Sequence, residues 1–232
     1  MPRKKIIKYD NLAAQTVRLD IEEEQLTHAF FDFKPFTNAH YFKHELQIEK
    51  AENTEGASLL DLAKLKLKLF RELCAAWKDE KGNKFDLAKV DEVEAVAAVS
   101  ALTTFAYRPR PKKEKGGYNP ESSDTFYLQA LNNSKPVDLM LKLRRPLINT
   151  LFEVERIQKK VIQNGYFQSR NPKSSAELIY EIAAPHIESA ENYASAEVPA
   201  WHLIPCFMKQ IENRLNGVVP SIISAPKFSA CR

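Results

Sequence analysis

The sequence predicts a mainly α fold of the α+β type, in which an amino-terminal β-hairpin packs on helices and a helical carboxy-terminal region follows. Two short segments near the start alternate apolar and polar residues, the period of a half-buried strand. Four capping signatures farther on, at Ser58, Asp86, Thr150 and Ser174, each open an apolar stripe of helical length. A chain of 232 residues that is 44% hydrophobic and 10% aromatic also carries enough apolar surface for a sizeable core.

The hairpin is read from Val17-Arg-Leu-Asp-Ile21 and Ala29-Phe-Phe-Asp-Phe33, with the acidic stretch Glu22 to Gln25 between them and Pro35 ending the second strand. Val17, Leu19 and Ile21 share one face, as do Ala29, Phe31 and Phe33, and a lone hairpin needs a helix to cover it. Ser58-Leu-Leu-Asp61 resembles a capping box and starts that helix, which the spacing of Leu59, Leu62, Leu69, Phe70, Leu73 and Trp77 carries to about Trp77. Lys78 to Lys84, with Gly82-Asn83 inside it, is a tight turn. Asp86 then caps a second helix through Tyr107, with Leu87, Val90, Val93 and Ala97 facing inward. These elements make a first region, residues 1–107.

Residues 108–123 hold Pro109, Pro111, Gly116, Gly117 and Pro120 among charges and read as a basic linker. The second region, 124–232, reads as helical. Pro136 lies near a helix start, and Thr150-Leu-Phe-Glu153 caps a helix that stops at Asn164-Gly165 and buries Leu147, Leu151, Val154, Ile157 and Val161. Ser174-Ser-Ala-Glu177 opens another helix to about Ala190, and Trp201 to Asn216 forms the last, closed by Gly217. Val218 to Arg232 reads as loosely held, and no internal repeat is evident.

Cys74, Cys206 and Cys231 are odd in number and far apart, which suggests neither a disulfide framework nor a zinc knuckle and fits a reducing, cytoplasmic setting. No stretch approaches ~18 uninterrupted apolar residues, so no membrane span and no membrane partner are expected. Six glycines build no phosphate cradle, and no cofactor is implied. His40 and His44 have the spacing of paired metal ligands on a helix, but Tyr41 stands where a metalloprotease motif needs an acid, so they read as structural and no metal is expected. Cys206, His202 and His186 are the nominal thiol and bases of a nucleophilic site, yet nothing in the sequence brings them together, and Cys206 reads as a small core residue. Binding is therefore expected rather than catalysis.

The net charge of +4 permits nucleic-acid binding without requiring it. The residues that would meet phosphates are Arg108, Arg110, Lys112 and Lys113 in the linker, and Arg144, Arg145, Arg156 and Lys160, with Lys142 and Lys159, on a basic helix after it. Glu155 and Lys159 form an i,i+4 pair that suits an ordinary solvated face. Tyr107, Tyr118, Phe126 and Tyr127 flank the linker, but base-stacking platforms sit on sheets and none is predicted there.

The hairpin ending Phe31-Asp-Phe-Lys-Pro-Phe36, the leucine-rich helix, the turn Ala76-Trp-Lys-Asp-Glu-Lys-Gly-Asn-Lys-Phe85 and the helix after it resemble tail assembly chaperones of long-tailed phages and prophages. Trp77, Asp79 and Gly82 carry the resemblance, which covers residues 15–107. It implies a non-catalytic virion-assembly factor that binds a helical client, the tape-measure protein, while tail-tube subunits assemble. Leu65, Leu67, Leu73 and Trp77 are the expected client lining, through apolar grooves between helices. The alternative is a nucleic-acid-binding helical subunit of a larger ribonucleoprotein or DNA complex. For that reading, Leu102-Thr-Thr-Phe-Ala106 and Leu143-Arg-Arg-Pro-Leu147 are similar to the small helical subunits of CRISPR surveillance complexes.

Overall fold

A computed structural model describes residues 7–22, 26–53, 58–108, 123–162 and 172–217. The first hairpin forms as its alternation requires: β1 (Gln15–Glu22) pairs antiparallel with β2 (Leu26–Phe33), and the register Val17↔Phe31 and Leu19↔Ala29 puts the apolar residues of both strands on one face. Pro35 follows the end of β2, and Thr37 then caps α1 (Asn38–Glu52), a helix the sequence pattern had not disclosed. The Ser58 capping box is present and opens α2 (Leu59–Leu73).

Helix α2 does not reach Trp77. Cys74–Lys78 is instead β3, which pairs antiparallel with β2 and in turn accepts the short β4 (Lys84–Phe85). Ala75 and Ala76 favour helix, but the open edge of β2 presents backbone donors and acceptors that only another strand can satisfy, and that demand overrides propensity. The turn between β3 and β4 is as tight as expected. Asp79 accepts from the Lys81 and Asn83 amides at 2.9 and 2.8 Å, and Gly82 takes a φ of +83° that its lack of a Cβ permits. The apolar stripe also differs: Leu67, Leu69, Phe70 and Leu73 are buried, while Leu59 is 86% exposed.

The helix expected from Asp86 to Tyr107 is three elements. Asp86 caps a single 3-10 turn (Leu87–Lys89), Asp91 caps α3 (Glu92–Ala101), and Phe105–Tyr107 is β5. Ala95, Ala98 and Val99 face the core, and Val93 is 76% exposed.

The largest correction concerns the second half, which is not simply helical. Ser123–Asn132 (β6) and Lys135–Arg144 (β7) form a hairpin of two ten-residue strands between β5 and β8 (Ile187–Glu191), giving a second four-stranded antiparallel sheet. Its signal was the alternation of Phe126, Leu128 and Ala130 and of Val137, Leu139, Leu141 and Leu143, all buried on one face. Asn133 and Ser134, with φ of 49° and 60°, make the two-residue turn whose twist suits a hairpin. Pro136 sits in β7 rather than at a helix start, opposite Leu131 in the pair beyond the turn-closing one, where its missing N–H would not have bonded β6. The protein is thus an α+β fold with six helices and two antiparallel sheets among the described residues, β1-β2-β3-β4 and β5-β6-β7-β8.

Helix α4 (Ile148–Ile162) buries Leu151 and Val154, while Leu147, read as buried, is 71% exposed. Ser174 caps α5 (Ser175–Ala183), which is shorter than expected because Pro185 and the edge of β7 divert the chain through a 3-10 turn (Ala184–His186) into β8. Helix α6 (Ala200–Gly217) matches its expected span. The Asn164-Gly165 stop, most of the linker and the end from Val218 lie outside the described residues.

A repeat hidden in the sequence emerges from the topology. The order hairpin, two helices, strand and helix occurs as β1-β2-α1-α2-β3 leading to α3, and again as β6-β7-α4-α5-β8-α6. Each third strand docks on the hairpin's second strand with the same irregularity. Three regular pairs end at Asp32↔Ala76 and the next is Phe33↔Cys74; likewise Lys142↔Ser189 is followed by Leu143↔Ile187, so that Ala75 and Glu188 are the extra residues.

The two copies are joined by α1. Its Asn38 side chain accepts from the Ala200 amide at 2.7 Å and donates to Glu197 at 2.7 Å, satisfying the start of α6, and its Glu49 carboxylate accepts from the Ser175 amide at 2.9 Å at the start of α5. Tyr9 adds a parallel bridge to Tyr193, and the β6–β7 turn holds the start of β1 through Asn133 to Thr16 at 2.9 Å. Asn38 is buried, so Asn38→Ala leaves an amide of α6 without an acceptor. It is expected to cost about 1–3 kcal/mol in urea unfolding, against less than about 0.5 kcal/mol for the exposed control Lys89→Ala.

Candidate functional site

Three regions bear on function. The first is an open groove of about 430 Å³ between the carboxy-terminal half of α2 and the segment that runs from the Asp86 turn into α3. Leu67, Phe70, Cys74, Leu87, Val90 and Ala95 make its apolar floor, with Arg71 and Glu92 at its rim. Of the expected client lining, Leu67 reaches this groove. Leu73 is buried in the core beneath, Leu65 is half-buried on α2, and Trp77 is on β3, stacked at 6.4 Å on Phe31 and 4.9 Å from Phe85. The strand geometry of Trp77 therefore separates it from the helical stripe it was assigned to.

The second region is the basic set, which the fold disperses. Arg108 follows β5 and pairs with Asp138 at 2.6 Å; Arg145 follows β7 and faces Asp124 at 3.3 Å. Lys142 on β7 pairs with Glu188, and Lys159 on α4 pairs with Glu155, each at 2.6 Å. Arg144 and Arg156 are exposed on different elements. There is no single basic helix, because β7 ends at Arg144 and α4 starts at Ile148. Arg110, Lys112 and Lys113, with Tyr118, lie outside the described residues, as does the side chain of Lys160. Tyr107, Phe126 and Tyr127 do belong to a sheet, contrary to the sequence reading, but Phe126 is buried and the Tyr107 hydroxyl bonds the thiol of Cys206.

The third region was invisible in the sequence. A cleft of about 370 Å³ opens where α1, α2, α3, β5 and α6 converge, with aromatic walls from Phe36, Tyr41, Phe105 and Trp201. Phe36 and Tyr41 lie 4.9 and 5.8 Å from the Trp201 ring. Into it α1 directs His44 and Glu45, and α2 directs Lys66, whose ammonium donates to Ser100 at 3.0 Å. Burial, reinforced by the charges of Glu49 and Glu52 against a weaker pull from Lys66, pushes the Glu45 carboxyl up to about 7. Burial also pushes the Tyr41 hydroxyl up and, with Lys66, holds the His44 imidazole below its ordinary value. The missed signal was Thr37 after Pro35, a helix start that sets Tyr41 and Glu45 one turn apart on one face.

His40 turns its Nδ1 back to the Thr37 amide at 3.3 Å as part of the α1 cap, and His44 faces α2. The described residues hold no cluster of three metal-ligating side chains. Cys206 and His202 are fully buried on α6: burial drives the thiol up to about 12 and the imidazole down to about 3, away from the thiolate and imidazolium that nucleophilic catalysis needs. His186 packs on Phe207 at 5.4 Å. No described helix is long and apolar enough to cross a membrane. Compared with known proteins, the chain matches no family model, no curated protein and no solved structure.

The Glu45 carboxyl makes stability depend on pH. Its folded pKa lies above the ordinary 4.5, so the folded state holds the proton more tightly; its contribution is full below 4.5 and is lost as pH rises through about 7. Glu45→Gln should match the parent in thermal midpoint near the bottom of that window and exceed it above pH 7. A variant less stable than the parent at alkaline pH would show that the carboxylate is compensated.

Proposed function

We propose that this chain is a non-catalytic binding protein that holds an amphipathic helix of a partner in the groove between α2 and the segment entering α3. The observation that carries this reading is the groove itself, an open space of about 430 Å³ with an apolar lining, framed among the described residues by Arg71 and Glu92. Neither rim residue has an ion-pair partner among the described residues, so a helix with an apolar stripe flanked by charges of both signs meets it on complementary terms. The resemblance to tail assembly chaperones gives such a helix a natural source, the tape-measure protein of a long-tailed phage, and gives the chain the role of a virion-assembly factor.

The nucleic-acid reading is the weaker one. Four of its described cations face carboxylates within 3.3 Å, and they occupy separate elements rather than one stripe.

Affinity capture of the full chain from its host at low and high salt, with protein and nucleic acid both identified, separates the readings. The expected result is salt-resistant recovery of a long helical protein, a synthetic segment of which binds directly and loses at least tenfold in affinity to Ala88→Asp. Ala88 is exposed in the groove wall, so that substitution should leave the thermal midpoint unchanged. Recovery of DNA or RNA that falls steeply with salt, and is lost with Arg144→Ala and Arg156→Ala, overturns the proposal.

A further inference from the structure

The aromatic cleft beside α1 is a separate matter from the client groove, and its polar groups do not behave as a closed core. Those on α2 and α3 are satisfied within the protein. Lys66 donates to Ser100, the Ser100 hydroxyl donates to the Val96 carbonyl at 2.9 Å, and the Thr103 hydroxyl donates to the Ser100 carbonyl at 3.2 Å. The Tyr41 hydroxyl and the Glu45 carboxyl, one turn apart on α1, have no hydrogen-bond partner among the described residues, and Lys66 forms no ion pair with Glu45. On the opposite wall Pro205 has no N–H to give the Trp201 carbonyl one turn back in α6. A half-buried carboxylate without a partner is costly, and in a concave site it marks a group kept for something that binds.

We infer that this cleft is a binding site for a small organic ammonium ion with an apolar body, Glu45 being its counter-ion, the Tyr41 oxygen a second acceptor, and Phe36, Phe105 and Trp201 the walls. The reasons are of charge, shape and surface. The unsatisfied groups can all accept from an ammonium, whereas an anion would meet Glu45 with Glu49 and Glu52 behind it on α1. Among the described residues Lys66 is the cleft's lysine, and one of its three N–H donors is turned to Ser100. Aromatic faces attract a desolvated cation and shelter its hydrocarbon part. A volume of about 370 Å³ falls within the range of small-molecule sites, roughly 300–1,000 Å³.

Binding a cation to Glu45 requires it ionised, so below pH 7 close to one proton leaves as the ligand enters, and well above pH 7 none does. With the carboxyl near 7, affinity should rise about tenfold between pH 6 and pH 8.5. The other titratable or charged groups set around it are Tyr41, His44, Glu49 and Glu52 on α1 and Lys66 on α2. The α3, β5 and α6 walls contribute Val99, Ser100, Thr103, Phe105, Trp201 and Pro205, none of which titrates.

Calorimetric titration of the full chain with phenethylammonium, methylammonium and choline, and with neutral 2-phenylethanol, tests this at both pH values. The expected result is saturable binding of phenethylammonium with proton release at pH 6 and none at pH 8.5, at least tenfold weaker binding of the neutral alcohol, and at least tenfold loss in Glu45→Gln at pH 8.5. Glu45→Gln removes a buried charge and keeps the side chain's shape, so it should remain folded; Tyr41→Phe should lose a smaller factor and Lys66→Met should gain. The inference is overturned if none of the three cations saturates up to on the order of 10 mM, if the alcohol binds as well as the amine, or if folded Glu45→Gln binds undiminished.

Discussion

Helix α1 gives the carboxamide of Asn38 to the first amide of α6 and the carboxylate of Glu49 to the first amide of α5. A helix start has amides with no partner inside the helix, and at a buried start another element must supply the acceptors. Here both suppliers belong to one helix of the first half and both recipients to the second, so satisfying the backbone also fixes how the halves meet. The cost is visible in Glu49, whose carboxyl stays above its ordinary range because burial outweighs the hydrogen bonds from Ser175 and Ala176. The aromatic cleft is a product of the same joint. With α6 anchored at Ala200, the next residue, Trp201, stands against Phe36 and Tyr41, and Glu45 faces the space left between them.

The two copies of the hairpin, helix pair, strand and helix arrangement show how one topology yields two surfaces. In both, the third strand must complete the hairpin's open edge and then leave it for a helix. In the first copy the exit runs through β4 and the Asp86 turn and stays separated from α2, which leaves the apolar groove. In the second copy the exit, Asn192 to Pro199, is tied to the first half by the Tyr9 amide and by Asn38, and the corresponding space is consumed by the junction. The open groove and the welded joint occupy the same topological position, which supports the reading of the groove as a surface kept for a partner.

The reactive side chains of the sequence end in places that quiet them. The thiol of Cys206 and the ring of His202 sit in the core of α6, where desolvation favours the neutral form of each. On α1, by contrast, Glu45 keeps its carboxyl at the edge of an open cleft. Two open regions remain: an apolar groove rimmed by Arg71 and Glu92, and the aromatic cleft that Glu45 enters.

Elements whose signals are local could be read from the residues alone. Alternation drew β1 and β2, the serine caps at Ser58 and Ser174 placed the starts of α2 and α5, and Asp79 and Gly82 made their turn. Those interactions close within a few residues and ask nothing of the distant chain, although Thr150, a cap by the same local rule, lies inside α4. The sequence did not determine where α2 and α5 stop, because each is ended by the edge of a strand made elsewhere: β2 draws Cys74 to Lys78 out of the helix, and β7 draws out Ile187 to Glu191. The second sheet was legible in the alternation from Phe126 to Leu143, but Pro136 and the helical stripes around it outweighed that signal. Of the residues named in advance as a lining, Leu67 does reach the groove beside α2. The Glu45 cleft was not, since its walls come from residues 36 to 205, and only long-range packing brings a carboxylate on α1 beneath the rings of β5 and α6.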